Sequence, residues 1–462
     1  MQSILSADVQ IHILTRYAPA YGPLVALANK QWCNFAQRHA TSMLRRPSFV
    51  HLAREGRAAL LRWIRSKLCY GEWSSRIQRS LMLCAAKYGQ LSVARLCCEF
   101  EIYRPRKGFR LPHEPIWVAA RHGHEAFVRM CVNEFNVTST DDMDTVAACA
   151  ARGGHEKLVR LCFDAWGATD SNHVMETAAQ AGHEAIVRLC HDVYHATDVD
   201  QAMVAAASKG HVRIVRLCHD EWRAVGLVGY AMDAAAWGGY EALVRLFHDE
   251  YGASDILGAM DHAAERGHES IVRMCYEEWG PVSDVDSVML AAARGGHESI
   301  LRLCREQWGG HEVNDSAVEA ARKGHERIVE ICCNEWGATD THTPMRTAAR
   351  HGHLRIVQRC HDEWGCTDAY DVDAAMCEAA GGGHAEIVRV CHKTWGSTAV
   401  ESAMCSASAY GHAHIVRMCH DEFGATDFVR AYMNAKVHKR YRIMALYVSW
   451  GFNPDVECPN VP

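Results

Sequence analysis

The sequence predicts an all-α fold, an α-solenoid of stacked helix-turn-helix repeats. A block of about 28 residues, close to Ala-Ala-x-x-Gly-His-Glu-x-Ile-Val-Arg-Leu-Cys-His-Asp-Glu-Trp-Gly-Ala-Thr-Asp, recurs from near residue 81 almost to the C-terminus. A fixed period of roughly 20–50 residues is typical of stacked repeats, each of which buries its apolar face against its neighbours. The Ala-rich stretch and the Ile-Val-Arg-Leu-Cys segment have helical apolar spacing, and a glycine separates them.

This glycine, here called the anchor glycine, marks the turn between the two helices of a repeat. Most anchor glycines lie 28 or 29 residues apart, and a histidine usually follows. Glycine fits because the turn requires a backbone conformation that is costly for other residues. Thr-Asp pairs such as Thr197-Asp198 and Thr426-Asp427 suit the N-cap of the next helix. The anchor glycines are Gly89, Gly123, Gly154, Gly182, Gly210, Gly239, Gly267, Gly296, Gly324, Gly352, Gly383 and Gly411.

The composition of the 462-residue chain limits the classes of partner. Its net charge of −6 is too small to argue for nucleic acid or a membrane surface. No run of about 18 apolar residues occurs, so no transmembrane helix is expected. Asp8 and His12 interrupt the N-terminal apolar stretch, so a secretory signal is not expected either.

The cysteines follow the register of the repeat. Eleven of the 21 fall at one position, the cysteine slot, which Phe247 occupies in one copy. We therefore expect buried free thiols that pack as small apolar side chains, in an intracellular protein of the cytoplasm or nucleus. The cysteines in the slot are Cys97, Cys131, Cys162, Cys190, Cys218, Cys275, Cys304, Cys332, Cys360, Cys391 and Cys419.

Neither metal nor catalytic chemistry is expected. Cys-His dipeptides such as Cys190-His191 diverge by about 100° on a helix, so the two side chains do not face one point. No Cys-x-x-Cys has a matching second pair, which argues against zinc. No phosphate loop and no nucleophile with a base and an orienting group is visible. The sequence predicts a protein that is not an enzyme and has no cofactor.

Two further periodic features are expected to be structural. Arginines such as Arg188, Arg216 and Arg245 precede an acid by four residues, which predicts weak surface pairs with Asp192, Asp220 and Asp249. An aromatic residue closes each second helix, and we expect these rings to pack along the array rather than to stack on bases or sugars. The aromatic residues are Phe135, Trp166, Tyr194, Trp222, Tyr251, Trp279, Trp308, Trp336, Trp364, Trp395 and Phe423.

The repeat resembles the ankyrin repeat. Thr343-Pro-Met-Arg-Thr-Ala-Ala-Arg-His-Gly-His353 is similar to the ankyrin consensus Thr-Pro-Leu-His-x-Ala-Ala-x-x-Gly-His. The usual repeat has about 33 residues, so the resemblance implies that the β-hairpin finger is reduced to a short turn. It also implies a second helix about one residue longer, and histidines after the anchor glycines that bond the backbone of adjacent turns.

The ends of the array differ from its middle. Residues 46–80 contain a degenerate first repeat and a linker, and residues 81–427 contain about twelve repeats. Residues 428–452 keep the helical pattern with basic residues in place of the anchor glycine, as expected of a capping repeat. Residues 453–462 form a tail.

Residues 1–45 carry no repeat and predict three short amphipathic helices. Their spacing resembles an F-box, with Lys30 and Trp32 matching its closing motif and Ser6 replacing its proline. The alternative is a helical cap that covers the first repeat. The resemblance implies that a Skp-family adaptor would contact Leu5, Asp8, Ile13, Leu14, Leu24, Lys30 and Trp32.

Residues that vary between copies are the better candidates for binding, because packing fixes those that repeat. Two positions before each anchor glycine lies a variable set, here called the pre-glycine row, toward the concave side that ankyrin arrays use. Tryptophan and arginine are frequent binding hot spots, although ordinary solvated charge would give the same row. The predicted partner-binding residues are Arg121, Arg152, Trp237, Glu265, Arg294, Arg322 and Arg350.

An F-box fused to ankyrin repeats implies a substrate-recruiting subunit of a cullin-type ubiquitin ligase. Such fusions are familiar from large DNA viruses, so the resemblance also implies a host-directed viral protein. The alternative is an interaction scaffold or decoy without ligase recruitment. A third and weaker alternative is nucleic-acid binding along the row, with strong salt dependence as its signature.

Overall fold

The computed structural model describes residues 47–59, 61–62, 75–99, 114–135, 137, 139–280 and 282–454. The chain divides into two units, Met1–Leu227 and Val228–Pro462. Across the described residues the regular structure is entirely helical, without a strand. None of these helices is both long and apolar enough to traverse a lipid bilayer.

In the first unit the described helices form five helix-turn-helix pairs, preceded by one further helix. Each pair has a first helix that ends at the anchor turn and a second helix that follows it. The preceding helix is Pro47–Arg54, and the pairs are Ser75–Tyr88 with Leu91–Glu99, Glu114–Arg121 with Glu125–Phe135, Thr140–Arg152 with Glu156–Trp166, Ser171–Ala181 with Glu184–Asp192, and Val199–Ala207 with Val212–Arg216, the last continuing as a π-helix over Leu217–Glu221.

The second unit contains eight such pairs in its described part. Three of its second helices continue as a π-helical segment, which is given after a plus sign. The pairs are Val228–Gly238 with Glu241–Arg245 + Leu246–Glu250, Ile256–Arg266 with Glu269–Trp279, Val285–Gly295 with Glu298–Arg302 + Leu303–Gln307, Val313–Lys323 with Glu326–Glu330 + Ile331–Glu335, His342–His351 with Leu354–Asp362, Ala369–Gly382 with Ala385–Lys393, Val400–Tyr410 with Ala413–Asp421, and Phe428–Val437 with Tyr441–Ser449.

The core of each unit follows from the small residues of the repeat. Within a unit, first helices pack on the first helix of the next pair and on their own second helix. Pairs such as Ala320-Ala321 are fully buried, so the alanines let the helix backbones approach closely. The cysteine slot is at most 2 % exposed in every copy, and Phe247 is fully buried there as well. The predicted helical array and the packing role of the cysteines are confirmed.

The anchor turn links successive repeats through a glycine and a histidine. Gly324 has a φ of +86°, and a Cβ built on it would lie 2.6 Å from Cε1 of His353 in the next repeat. His353 Nε2 donates a hydrogen bond to the carbonyl oxygen of Arg322 at 3.1 Å. The same bond recurs from His124 to His412, so the predicted backbone role of the anchor histidines is confirmed.

Several of the aromatic residues that close the second helices pack on the residue after the cysteine slot of the preceding repeat. The rings of His191 and Trp222 stack with centroids 3.9 Å apart, and Tyr276 and Trp308 stack at the same distance. His248, His361 and His420 form equivalent stacks in the second unit. The structural role expected of the aromatic row is confirmed, although its partners are mostly histidines rather than the other closing aromatics.

Of the three ion pairs predicted on the second helices, the pair of Arg216 with Asp220 is present at 3.9 Å, and the other two are replaced by different pairs. Arg188 bonds Glu184 in its own helix and Glu221 in the next repeat, both within 3.1 Å, and it does not pair with Asp192. Arg245 likewise pairs with glutamates of its own and the next repeat rather than with Asp249. The prediction is wrong for these two arginines because it considered pairs within one helix, whereas the stacked helices bring a glutamate of the next repeat within reach.

The connection between repeats is a short turn, as the short length of the repeat predicted. Residues 167–170 join one pair to the next, and the amides of Thr169 and Asp170 donate to Oδ1 of Asp144 in the preceding first helix. The expected N-cap bond is formed by Asp427, which accepts from the amide of Arg430 at 3.3 Å. Asp198 occupies the N-cap position without such a bond.

Four of the described second helices continue into a π turn of five residues. The π-helix bonds residue i to i+5, one residue more than the α-helix. In the repeat that contains Ile331–Glu335, the turn ends at Trp336. The buried face is retained, because Ile331 and Cys332 remain fully buried.

A candidate binding groove on the pre-glycine row

The pre-glycine row is fixed by its backbone and variable in its side chains. In the second unit, the carbonyl oxygens of Arg294, Arg322 and Arg350 each accept the hydrogen bond of an anchor histidine, at 3.0–3.1 Å. The row residue takes part in this bond only through its main-chain carbonyl oxygen, so a side chain of any kind can occupy the row. The repeat therefore holds variable groups at regular positions on a rigid frame.

Two of the predicted arginines line a surface depression of about 400 Å³ in the second unit. We call this depression the arginine groove, and it lies on the first helices Val313–Lys323, His342–His351 and Ala369–Gly382. The lining residues are Arg322, Thr343, Arg346, Thr347, Arg350, His351 and Glu378.

Glu378 organises the cations of the arginine groove. Arg350 Nη1 donates to Glu378 Oε2 at 3.0 Å, and Arg346 Nη2 lies 3.7 Å from Oε1 of the same carboxylate. Arg350 Nη2 also contacts the hydroxyl of Tyr410 at 3.3 Å, and its guanidinium carbon lies 5.4 Å from the Tyr410 ring centroid. The bonds to Tyr410 and Glu378 raise the pKa of Arg350, so its positive charge is secure.

The neighbouring part of the row is internally neutralised. Arg294 lies 3.4 Å from Glu265 on one side and 3.4 Å from Glu319 on the other. Glu319 also pairs with Arg322 at 3.4 Å, and its side chain is only 18 % exposed. Arg294, Glu265 and Arg322 thus belong to a chain of ion pairs, whereas the excess positive charge lies with Arg346 and Arg350, which share Glu378.

Trp237 occupies the row in the first helix of the second unit. It is 40 % exposed, and the guanidinium of Arg266 lies 4.7 Å from its ring centroid. The ring of His262 meets its edge at a centroid distance of 5.9 Å. A cation over an aromatic face stabilises the exposed ring, so a partner would meet a tryptophan already covered on one side by arginine.

Arg121 and Arg152 lie in the first unit and are exposed at the ends of their first helices. Their carbonyl oxygens accept from His155 and His183, at 3.1 and 3.3 Å. Within the part of the chain that the structure describes, neither guanidinium has a carboxylate partner. They are available cations, but no further predicted residue of the row joins them in one depression.

Neither a comparison with protein-family models nor one with curated proteins finds a match to this chain.

The other candidate chemistry is accounted for by burial. Burial raises the pKa of the Cys162, Cys190 and Cys218 thiols to about 12, so these thiols are neutral at physiological pH and poor nucleophiles. Throughout the described ranges, no three His, Cys, Asp or Glu side chains converge as a metal site would require. The histidines are instead engaged in the anchor bonds and the aromatic stacks.

The predicted adaptor-binding residues lie in the N-terminal segment, outside the described residues. They are Leu5, Asp8, Ile13, Leu14, Leu24, Lys30 and Trp32.

Sequence reasoning missed much of the arginine groove. Arg346 and Thr347 lie one turn before the row, and Glu378 lies on the next first helix. Tyr410 belongs to the repeat after that. The signal available was the variability of the positions five and six residues before the anchor glycine, which lie one helical turn from the row and face the same way.

Proposed function

We propose that the chain is a non-enzymatic protein-interaction protein whose repeats hold an acidic segment of a partner. The observation that carries this proposal is the arginine groove, in which the guanidinium groups of Arg346 and Arg350 share the carboxylate of Glu378, while Arg322 pairs with Glu319. Electrostatic complementarity of this kind gives specificity and a fast association rate. The repeats would act as a rigid support, since the row's main chain is bonded from repeat to repeat.

By resemblance, we further propose that residues 1–45 recruit a Skp-family adaptor, which would make the chain a substrate-recruiting subunit of a cullin-type ubiquitin ligase. The anchor turn supports the resemblance of the repeat to the ankyrin repeat, on which this proposal partly depends. Free thiols buried in the cysteine slot support an intracellular location, because a reducing compartment preserves them. A host-directed viral protein would combine these properties.

The alternative is a scaffold or decoy that binds the same partner without recruiting a ligase. Four forms of the full chain separate the two: the unaltered protein, Leu14→Asp with Trp32→Ala, Arg350→Glu, and Arg355→Glu. Arg355 is a matched control, because its side chain is 86 % exposed and lies outside the groove. Each form is tested with a purified Skp-family adaptor and with a purified partner that the unaltered chain captures from cells.

The two proposals predict different losses. With ligase recruitment, the double N-terminal variant loses the adaptor at least tenfold and retains the partner, whereas Arg350→Glu does the reverse. Adaptor binding that is absent, or equal in all four forms, would leave the scaffold as the correct function. If Arg350→Glu and Arg355→Glu reduced partner binding equally, the groove would be excluded as the binding site.

A further inference from the structure

The last described helix pair, Phe428–Val437 and Tyr441–Ser449, exposes four large apolar side chains. A terminal repeat of a solenoid ordinarily has a polar outer face, which keeps the array soluble. This pair departs from that rule. We call the four residues the terminal face; they are Val429, Val437, Tyr441 and Val448, which are 40, 70, 71 and 52 % exposed.

Two residues of the terminal face occupy first-helix positions that contact the next repeat elsewhere in the second unit. Val429 lies ten residues before Lys439, which stands in the position of the anchor glycine. The equivalent residue of the preceding repeat, Glu401, accepts hydrogen bonds from two backbone amides of the next turn, at 2.8 and 3.0 Å. Val437 belongs to the pre-glycine row, where Arg350 bonds a glutamate of the next repeat.

Tyr441 and Val448 occupy second-helix positions of the same kind. In an earlier repeat, the residue equivalent to Tyr441 is Glu269, whose side chain is hydrogen-bonded to a serine of the next repeat. The residue equivalent to Val448 is His420, whose ring stacks on a tryptophan of the next repeat with centroids 4.1 Å apart. All four positions through which a repeat contacts its successor are therefore apolar here, and such an exposed patch marks an interaction site.

Lys439 makes the terminal face unsuitable for a further repeat of the same kind. A Cβ on Gly324 would lie 2.6 Å from Cε1 of His353, the anchor histidine of the next repeat. Lys439 has the same left-handed backbone, with a φ of 55°, and it carries a side chain at this point. A further anchor histidine would collide with that side chain, so a different structure is needed to cover the face.

The terminal face is flanked by basic residues. Residues 428–454 contain no aspartate or glutamate, although the whole chain has a net charge of −6. The acid just before them, Asp427, caps the first helix of the pair. Within the described residues, neither Lys439 nor Arg442 has a carboxylate partner. The basic residues are Arg430, Lys436, Lys439, Arg440 and Arg442.

This combination of apolar and basic groups selects the partner. A second copy of the chain would oppose like charges across the terminal face, which is unfavourable. Single-stranded nucleic acid binds by stacking its bases on aromatic rings, whereas three of the four residues here are valines. A helix with an apolar side and acidic residues beside it matches both the valines and the cations.

We propose that the terminal face binds an amphipathic helix of a partner protein. The apolar side of that helix would pack on Val437, Tyr441 and Val448, and its aspartate or glutamate side chains would pair with Lys439 and Arg442. This site goes beyond the proposed function, which concerns the arginine groove alone.

The test uses the purified full chain and four fluorescent peptides of about 18 residues, or five helical turns. Three have leucine at the spacing of one helix face and carry glutamate, glutamine or lysine beside it. By polarisation we expect the glutamate peptide to bind at least fivefold more tightly than the glutamine peptide and at least tenfold more tightly than the lysine peptide. The fourth peptide keeps the glutamates but has serine in place of leucine, and it should bind at least tenfold more weakly than the glutamate peptide.

A matched pair of double variants locates the site. Val437→Ser with Tyr441→Ser removes apolar surface without changing the charge, and it should weaken the glutamate peptide at least tenfold. Val225→Ser with Tyr370→Ser is the control, because these side chains are 67 and 76 % exposed and lie outside the terminal face. The control should bind as the unaltered chain does.

Charge reversal tests the pairing with the cations. Lys439→Glu with Arg442→Glu should reverse the preference, so that the lysine peptide binds more tightly than the glutamate peptide. A misfolded protein would not produce this gain. Arg350→Glu should leave the glutamate peptide unaffected, which separates a failure of the terminal face from a failure of the arginine groove.

Four results would overturn the proposal. The first is that no leucine peptide binds, or that binding is independent of Val437 and Tyr441. A dimer in sedimentation that the serine double variant dissociates would identify a second copy as the occupant. Binding that appears only after residues 455–462 are replaced by Gly/Ser would assign the face to that segment. Tighter binding of a single-stranded oligonucleotide, lost in Lys439→Glu, would identify a nucleic acid.

Discussion

Gly324 and Gly337 have the same left-handed backbone, with φ values of +86° and +68°, but different surroundings. A Cβ on Gly324 would lie 2.6 Å from Cε1 of His353, whereas a Cβ on Gly337 would meet nothing within 4 Å. His353 cannot simply move away, because its ring is bonded to the carbonyl oxygen of Arg322. The anchor glycine therefore serves two requirements, a backbone conformation and a close approach.

We expect Gly337→Ala to lower the free energy of unfolding by about 1 kcal/mol, the cost of a left-handed alanine. Gly324→Ala should lower it by about 2–4 kcal/mol, since crowding against His353 adds to that cost. Urea unfolding followed by circular dichroism measures both. Equal losses in the two variants would show that His353 does not constrain the anchor glycine.

At the level of residues, the site was only partly predictable from the sequence. Arg322 and Arg350 were found because their position varies between repeats while the alanine before it recurs. Glu378 and Tyr410 were missed because they lie one and two repeats after the repeat of Arg350, and their roles depend on distances between repeats. A single repeat cannot reveal which side chains of its neighbours reach it.

The helix pairs show what a periodic sequence determines about its elements. Apolar spacing and the anchor glycine predicted both helices of each repeat, because burial on one face and a left-handed turn each require particular residues. The π turns, such as Leu303–Gln307, were not predicted. The same buried residues serve an α-helix or a π turn, so the apolar pattern does not distinguish the two.

In the last helix pair, Phe428–Val437 and Tyr441–Ser449, Lys439 and Arg440 stand in place of the anchor glycine and the histidine that follows it. Lys439 has a φ of 55°, the left-handed conformation that glycine adopts in the other repeats. Arg440 Nε donates to the carbonyl oxygen of Ala409 at 3.0 Å, in the position of the anchor-histidine bond. The cap thus keeps the geometry of the repeat with a strained residue in the turn.

We expect Lys439→Gly to raise the free energy of unfolding by about 0.5–1 kcal/mol. The left-handed lysine costs about 1–2 kcal/mol, and the greater freedom of glycine in the unfolded chain offsets part of the gain. Thermal unfolding provides the measurement, with Lys436→Gly as a control that should destabilise because Lys436 lies within the helix. A lower stability for Lys439→Gly would contradict the strain at this turn.

At the scale of the molecule, the net charge of −6 gives no indication of where a partner binds. The excess positive charge in the arginine groove exists because Arg346 and Arg350 share the single carboxylate of Glu378 from the next repeat, while Arg322 pairs with Glu319. The division into the two units Met1–Leu227 and Val228–Pro462 was not anticipated either. The repeat pattern continues across this boundary, so the sequence marks the repeats and not the units.

If each repeat is stabilised only by its own contacts and those with adjacent repeats, a destabilising substitution should affect only nearby repeats. This can be tested within the second unit. Ile300 and Ile387 are 1 % exposed or less and occupy the same position, four residues after their anchor glycines. Truncation of a buried isoleucine to alanine costs about 2–5 kcal/mol. Because each repeat is stabilised by its own contacts and those with adjacent repeats, Ile300→Ala should speed amide exchange in residues 256–335 and leave residues 400–449 unchanged.

Ile387→Ala should reverse this pattern, with faster exchange in residues 342–421 and no change in residues 228–266. The two variants have the same chemistry and burial, so a difference in where exchange accelerates can come only from their place in the array. Hydrogen–deuterium exchange read by mass spectrometry resolves these ranges. If either variant accelerated exchange uniformly across the second unit, its repeats would unfold as one cooperative body, and the arginine groove would depend on the stability of all of them rather than on the repeats that line it.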